Sequence, residues 1–344
     1  MVTYLSSLIF SSIFWYINKY HRFTPKRNSP QTFHKKPTSR MGGPALFLSL
    51  LFWYLLDYKN IDITFLLILI SSLPIFVAGF IDDLFFNIKP FQRILLMIPT
   101  PILLFFLVGL EVRSVDIGFI DILLKFDIFA LAFMIFAFVG IANSFNIIDG
   151  FNALLLGYCL SIFTTLYFSG NTSGDLIFFL FPIFFSLLGI FTLNLFGKIF
   201  LGDAGAYFLG TIIASGLIVH QQTNNLSPWF VFLMLIYPVT EVLFSFIRKT
   251  FIRGKSALKP DGLHFHMLIY KRVSKKIGFR KIRVRHLFVS TFIFSINFPF
   301  MLSANIFSDN TYALVLISLW YVLLYTLMYF LLLPKYIFIS DTKT

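Results

Sequence analysis

Long apolar runs decide what this chain can fold into. A helix needs about 20 apolar residues to cross the hydrocarbon of a bilayer. Eleven runs approach that length, near residues 2–18, 43–57, 62–81, 94–110, 128–143, 153–168, 176–196, 206–220, 229–247, 287–304 and 312–333. A water-soluble core has no use for so many, even in a chain of 344 residues. Charged residues make up 12% of the sequence, about half the roughly 25% of a soluble domain. The expected fold is therefore all-α. It is a polytopic integral membrane protein of about ten or eleven transmembrane helices, forming one transmembrane domain over residues 1–344. The first run lacks a basic lead-in and a small-residue cleavage site, so it reads as a retained anchor. Cys159, the single cysteine, lies inside an apolar run, which excludes a disulfide framework.

The net charge of +13 would point to nucleic acid in a soluble protein, but here its distribution follows the membrane. With the N-terminus outside, the inner segments are 19–42, 82–93, 144–152, 197–205, 248–286 and the tail from 334. They carry 25 of the 28 lysines and arginines, leaving Lys59, Arg113 and Lys125 outside. This positive-inside pattern predicts a multi-pass protein of the cytoplasmic (inner) membrane, with no need of a nucleic-acid partner. The acidic residues are more informative. Asp82, Asp83, Asp149, Asp203, Glu241 and Asp261 all lie at or near the inner end of a span. Ionisable groups at such depth are costly and usually mark a site, so the sequence predicts active-site loops on the cytoplasmic face.

Four motifs carry those carboxylates or face them. In GFIDDLFFNIKPFQR, residues 79–93, adjacent Asp82 and Asp83 repel each other unless a cation balances them; a solvated loop with capping aspartates is the plain alternative. In NSFNIIDGFNALL, residues 143–155, Asn143, Asn146 and Asp149 step by three and share a helical arc of about 120°. Three oxygen-bearing side chains suit a hard cation and its water, although a polar helix end would look similar. Gly150 allows a ligand close to the backbone. In KIFLGDAGAYFLG, residues 198–210, glycines around Asp203 free the backbone to meet a phosphate while the carboxylate holds a metal. A tight interhelical turn competes with that reading, and the GKS/T ending of a Walker A loop is missing.

The fourth motif is KPDGLHFHMLIYKRV, residues 259–273. If extended, it points His264 and His266 the same way. No cysteine or third histidine sits at a zinc-ligand spacing, and imidazoles among lysines fit a polyphosphate clamp better. The charges of 271–285 read as a basic loop facing anionic lipid. Glu241 and Arg248, seven apart, read as satisfying bundle neighbours, and His220 at an outer span end needs no role.

In this order and at these membrane ends, the motifs resemble those of the polyprenyl-phosphate N-acetylhexosamine-1-phosphate transferases (glycosyltransferase family 4), which include phospho-MurNAc-pentapeptide translocase. The resemblance covers about residues 34–273, including KPTSRMGG at 36–43. It implies a catalytic set of Asp82, Asp83, Asp203, His264 and His266. Asp203 and Asn146 would hold Mg²⁺, with Mn²⁺ as the alternative, against the diphosphate of a sugar nucleotide. Asp82 and Asp83 would face the lipid phosphate and the metal. Asn143, Asp149, Gly150, Asn152 and Phe200 would bind substrate, the last four around uridine with Phe200 stacked on uracil. Lys259 would join the histidines on the diphosphate, and Lys35 or Lys36 would belong to the same wall. Three departures stand out: Phe86 and Asn87 where many members carry Asp, Ala206 where Ser is common, and HFH where the translocase branch has three histidines. The last favours the GlcNAc-type branch.

The resemblance implies transfer of a sugar-1-phosphate from a UDP-N-acetylhexosamine, UDP-GlcNAc above all, to undecaprenyl or another polyprenyl phosphate. UMP would be released, in the first step of a cell-envelope polysaccharide of the O-antigen kind. A homodimer is an open expectation. The same chemistry on UDP-MurNAc-pentapeptide is one alternative. A transporter or ion-binding membrane protein is another, though most spans carry no central charge and no inverted repeat is evident.

Overall fold

The apolar runs all become helix, but not all as single rods. The computed structural model describes residues 1–21, 38–85, 88–168, 174–252, 254 and 261–333. Among them the fold is all-α, with one isolated bridge and no longer strand. The chain opens with α1 (Val2–His21) and α2 (Gly42–Leu56). The third run breaks into α3 (Ile63–Ser71) and α4 (Leu73–Phe85), bent by 41°. Pro74 follows the break, and the next free amide, Ile75 N–H, is taken up by Thr100 Oγ1 at 3.0 Å. The fourth run is α5 (Pro90–Met97), α6 (Pro99–Leu103) and a π-turn through Val108. After the short α7 (Gly118–Leu124) come α8 (Asp127–Ile148), α9 (Leu154–Phe168), α10 (Gly174–Leu195) and α11 (Gly202–Thr223).

A sharper bend, 79°, separates α12 (Pro228–Met234) from α13 (Ile236–Ile247). Pro238 cannot donate to the carbonyl of Met234, four residues back. The Tyr158 hydroxyl donates to that carbonyl instead, at 2.9 Å. The inner loop holds the short turns α14 (Phe265–Leu268) and α15 (Ser274–Lys276), and α16 (Ile282–Ile306) and α17 (Thr311–Leu332) close the bundle.

Among the described residues, five helices are long and apolar enough to cross a membrane, or seven if each bent pair is one span. The sequence counted ten or eleven. The difference lies in α1 and in three apolar helices that are short: α2, α9 and Leu180–Leu195. At 15 residues, α2 and α9 span about 22 Å, less than the roughly 30 Å hydrocarbon.

The centre is α11. Its apolar window is 94% buried, whereas the other four long helices are buried over 28–33% and turn the rest outward. Helices α2, α4 and α8 pack around it. Small residues permit this, since close backbone approach is how helices associate in lipid. A Cβ on Gly43 would lie 2.4 Å from the Gly205 nitrogen, and one on Gly79 would lie 2.5 Å from the Ala204 nitrogen. Helices α2, α4 and α11 therefore meet backbone to backbone at the first turn of α11, where Asp203 sits.

Candidate active site

The KPTSRMGG and FLGDAG motifs are zipped together before any side chain is considered. Phe200 N–H donates to Ser39 O (2.8 Å), Gly42 N–H to Phe200 O (2.9 Å) and Gly43 N–H to Leu201 O (2.9 Å). Gly202 then turns the chain into α11 with φ +74°, and a Cβ there would sit 2.5 Å from Asp83 Oδ2. Only glycine meets both demands at little cost.

This junction gathers the aspartates. Asp83, fully buried on α4, accepts from Ala204 N–H at 3.0 Å and from Arg40 Nε at 2.6 Å. It thus caps the N-terminus of α11 from a neighbouring helix, where the helix dipole favours an anion. Arg40 also pairs through Nη2 with Asp203, itself fully buried. Burial works against the guanidinium charge, but Asp83 and Asp203 outweigh it and raise its value above the ordinary one. Arg93, on α5, meets Asp82 at 3.3 Å, with Asp203 Oδ2 at 3.9 Å. Its guanidinium also lies 5.9 Å from the Tyr207 ring. Asp149 closes the group beyond α8 and bonds the Gly202 backbone; burial pushes its carboxyl well above the ordinary range, with Arg40 opposing. The two arginines, 23% and 22% exposed, are the part of the cluster that water reaches.

Asn146 Nδ2 donates to the Tyr207 hydroxyl at 3.0 Å, which leaves its amide oxygen for a cation. Asn143 belongs elsewhere. Its amide donates to Val139 O of its own helix at 2.7 Å and faces the sulfur of Met97, so the three-residue stripe does not act as one unit. Asn152 is buried against α16: its N–H donates to His286 Nδ1 at 3.4 Å, and Ser290 Oγ donates to its carbonyl at 2.7 Å. Phe200 is 8% exposed and packs the zipped loop rather than offering an open face for a base. Gly150 has open space where a Cβ would stand. Lys35, Lys36 and Lys259, with Phe86 and Asn87, lie outside the described residues.

The donor chemistry fits a hard cation. Asp203, Asn146 and the adjacent aspartates offer oxygen only. Among the described residues, no three His, Cys, Asp or Glu side chains are grouped to hold a metal. One carboxylate and one amide oxygen suit Mg²⁺ completed by water and phosphate, its usual arrangement. Charge agrees: three carboxylates (Asp82, Asp83, Asp203) face two guanidiniums (Arg40, Arg93), leaving a formal −1 before any phosphate arrives.

The histidine motif is only half extended. His264 has φ −68° and ψ 151°, and the helix starts at Phe265. The rings nonetheless stack in parallel, 5.6 Å apart with planes 2° from each other. Glu241, from α13, accepts from His264 Nδ1 at 3.0 Å and from Phe265 N–H at 3.1 Å. Arg248 does not serve the bundle at large; it forks onto Asp261 at 2.6 and 3.1 Å. His266 meets the NSFNIIDGFNALL segment through Phe151, whose ring centroid is 5.4 Å from His266 and 4.8 Å from His286.

Sequence reasoning missed Arg40, Arg93, Glu241 and His286. Both arginines stood inside quoted motifs, but on a basic inner face they looked like topology. Arg40 just before the Gly42-Gly43 pair and Arg93 at the end of the aspartate motif were the available signal.

Comparison with known proteins agrees with this geometry. Residues 65–221 match the model of glycosyl transferase family 4. The chain is 30% identical over 264 residues to a phospho-N-acetylmuramoyl-pentapeptide-transferase of Staphylococcus saprophyticus, covering 70% of this chain and 80% of that one. It is 28% identical over 243 residues to an undecaprenyl-phosphate alpha-N-acetylglucosaminyl 1-phosphate transferase of Thermotoga maritima, covering 70% and 71%. A Staphylococcus aureus phospho-N-acetylmuramoyl-pentapeptide-transferase is 27% identical over 259 residues.

Proposed function

Because the chain belongs to glycosyl transferase family 4, we propose that it transfers a sugar-1-phosphate from a UDP-N-acetylhexosamine, most directly UDP-GlcNAc, to a polyprenyl phosphate. The observation that carries this is the junction of α2, α4 and α11, where three buried aspartates and two partly exposed arginines share one pocket of charge. The lipid phosphate oxygen attacks the sugar-bearing phosphorus, a new P–O bond forms, and the bridging P–O bond to UMP breaks. A phosphate monoester has its second pKa near 6, so the acceptor arrives largely as a dianion and UMP leaves as one. No net proton moves. A general base on Asp82 would then save roughly 1 kcal/mol or less.

Asp82 accordingly positions and does not abstract. Joining two anions is a problem of charge and alignment. Arg40 and Arg93 reach toward water and meet phosphate; Asp83 and Asp203 set where those guanidiniums point. Asp203 and Asn146 would hold Mg²⁺, which supplies charge neutralisation at the diphosphate when bound. His264 and His266 face the same diphosphate from the loop after α13, and Lys259 would add a further charge to it. The site opens on the cytoplasmic side of the inner membrane with the N-terminus outside, a reading supported by the distribution of lysine and arginine. Product would start a cell-envelope polysaccharide of the O-antigen kind.

The test is UMP release by purified protein in detergent with UDP-GlcNAc and undecaprenyl phosphate. Release dependent on both substrates and on Mg²⁺ is expected; release without the lipid, or none with any UDP-N-acetylhexosamine, would refute the reading. The 30% identity to a pentapeptide transferase makes UDP-MurNAc-pentapeptide the second donor to try.

A further inference from the structure

Glu241 was left without a task by the phosphate chemistry, yet it is 1% exposed and bonded on its Oε1 to two groups of the histidine loop. Its other oxygen, Oε2, lies 3.8 Å from His266 Nδ1, beyond hydrogen-bond range. That nitrogen instead shares a hydrogen bond with the Tyr237 hydroxyl at 3.0 Å. Tyr237 and Glu241 stand one turn apart on α13, so one helix face holds the Nδ1 side of both imidazoles. His266 Nε2 is fully buried and has no hydrogen-bond partner among the described residues. A buried donor left without a partner is costly, so a sequence that keeps one has reason to supply it with a ligand. The loop is also pinned from α17, where the Tyr329 hydroxyl donates to Leu263 O at 2.8 Å and Tyr325 packs 5.0 Å from Phe265.

We propose that Glu241, with Tyr237, is the positioning residue of the histidine pair: by taking the Nδ1 side of both rings it turns His266 Nε2 toward a phosphate oxygen of the diphosphate and places a carboxylate beside the imidazole that donates there. This rests on the transferase reading above. An anion bound to imidazole favours its charged form, and a cationic donor bonds phosphate about twice as strongly as a neutral one. Burial holds His266 below its ordinary value while the Glu241 carboxylate opposes it, so removing that charge leaves burial unopposed. The other charged and titratable groups around the pair are Tyr237 on α13, Arg248 and Lys249 after it, Asp261 in the loop, Tyr325 and Tyr329 on α17, and Tyr270 and His286 behind Phe151. Asp261 lies 3.9 Å from His264 Nε2 but is forked by Arg248. The ion-pair partners of Glu241 among the described residues are the two histidines.

The experiment is the pH profile of kcat/KM for Glu241→Gln. Glutamine keeps an oxygen for His264 Nδ1–H and Phe265 N–H and removes only the charge. The expected result is an alkaline limb moved toward acid by about one pH unit, with a loss at pH 8 several-fold larger than at pH 6. A profile parallel to the unmodified protein's would overturn the inference, because an acceptor with a purely structural role survives as glutamine. Two further variants guard against a folding defect. In a His264→Asn, His266→Asn background, Glu241→Gln should change kcat/KM by less than twofold; a full additional loss would overturn it. Tyr237→Phe should raise KM for the UDP-sugar several-fold, and unchanged kinetics would count against the proposal. An inactive unmodified protein would refute the transferase reading itself, whereas an active one with an unshifted Glu241→Gln profile refutes only this inference.

Discussion

Replacing Asp83 by Asn should cost stability as well as activity, and replacing its neighbour Asp82 should cost activity with a much smaller loss of stability. The two aspartates are adjacent in sequence and face different surroundings. Asp83 receives two donors, Arg40 Nε at 2.6 Å and Ala204 N–H at 3.0 Å, in a fully buried position. Asparagine has one carbonyl oxygen for the two of them and turns an NH₂ toward the other. The loss is one charge-assisted hydrogen bond plus one poorly satisfied donor, together about 3 kcal/mol. In a chain of this size each kcal/mol moves the unfolding midpoint by about 2 °C, so Asp83→Asn should lower it by about 6 °C. Asp82 meets Arg93 at 3.3 Å, a longer contact with a guanidinium that is 22% exposed. Asp82 is buried as well, but asparagine keeps an oxygen for that donor, so the loss is the charge assistance of one long contact, about 1 kcal/mol, a shift of about 2 °C. The assay is thermal unfolding of the detergent-solubilised variants followed by intrinsic fluorescence, beside UMP release. Equal midpoints for the two variants would refute the argument that Asp83 caps α11.

Other outcomes follow from the same geometry. Asp82→Asn should show a large defect in UMP release that stays flat between about pH 6 and 8.5, since a misplaced phosphate can cost about 10²-fold; recovery at high pH would restore a general-base role. Gly205→Ala should abolish folded protein, because its Cβ would lie 2.6 Å from Gly43 Cα, whereas Gly140→Ala, with nothing within 4 Å, should leave size-exclusion profiles unchanged. Burial alone would raise the Asp261 carboxyl, but Arg248 outweighs it and holds it below the ordinary value. Its stabilisation is therefore present above about pH 4 and lost as pH falls further: inner-loop hydrogen exchange should quicken on acidification, and Asp261→Asn should remove that response. Cysteines placed at Asn60 and Asn310 should react with an impermeant maleimide from outside intact cells, and one at Lys276 only after permeabilisation; native Cys159 is buried.

The helical plan was legible because hydropathy alone marks a membrane span. Its breaks were not. The 79° bend before α13 depends on Tyr158 reaching the carbonyl that Pro238 leaves open, a partner from another helix that no local pattern announces. Within the site, the meeting of Asp82, Asp83, Asp149 and Asp203 could be read because carboxylates are conspicuous at membrane depth. Arg40 and Arg93 were hidden among cations that the positive-inside rule already explains. Glu241 and Arg248 were read as satisfying bundle neighbours, whereas the partner of Glu241, His264, is 23 residues away in the histidine loop and Arg248 pairs with Asp261, 13 away. Asn143 was over-read because a stripe on a helix says nothing about whether an amide bonds its own backbone.

The most direct test of the central claim follows the sugar-bearing phosphorus. UDP-GlcNAc labelled with ³²P at the β-phosphate is incubated with the purified protein, undecaprenyl phosphate and Mg²⁺, and the products are separated into lipid and aqueous phases. Transfer of sugar-1-phosphate predicts that the label enters the lipid and that the nucleotide released is unlabelled UMP. Label left in the aqueous phase as UDP, with sugar on the lipid, would mean that the sugar moves without its phosphate and would contradict the account.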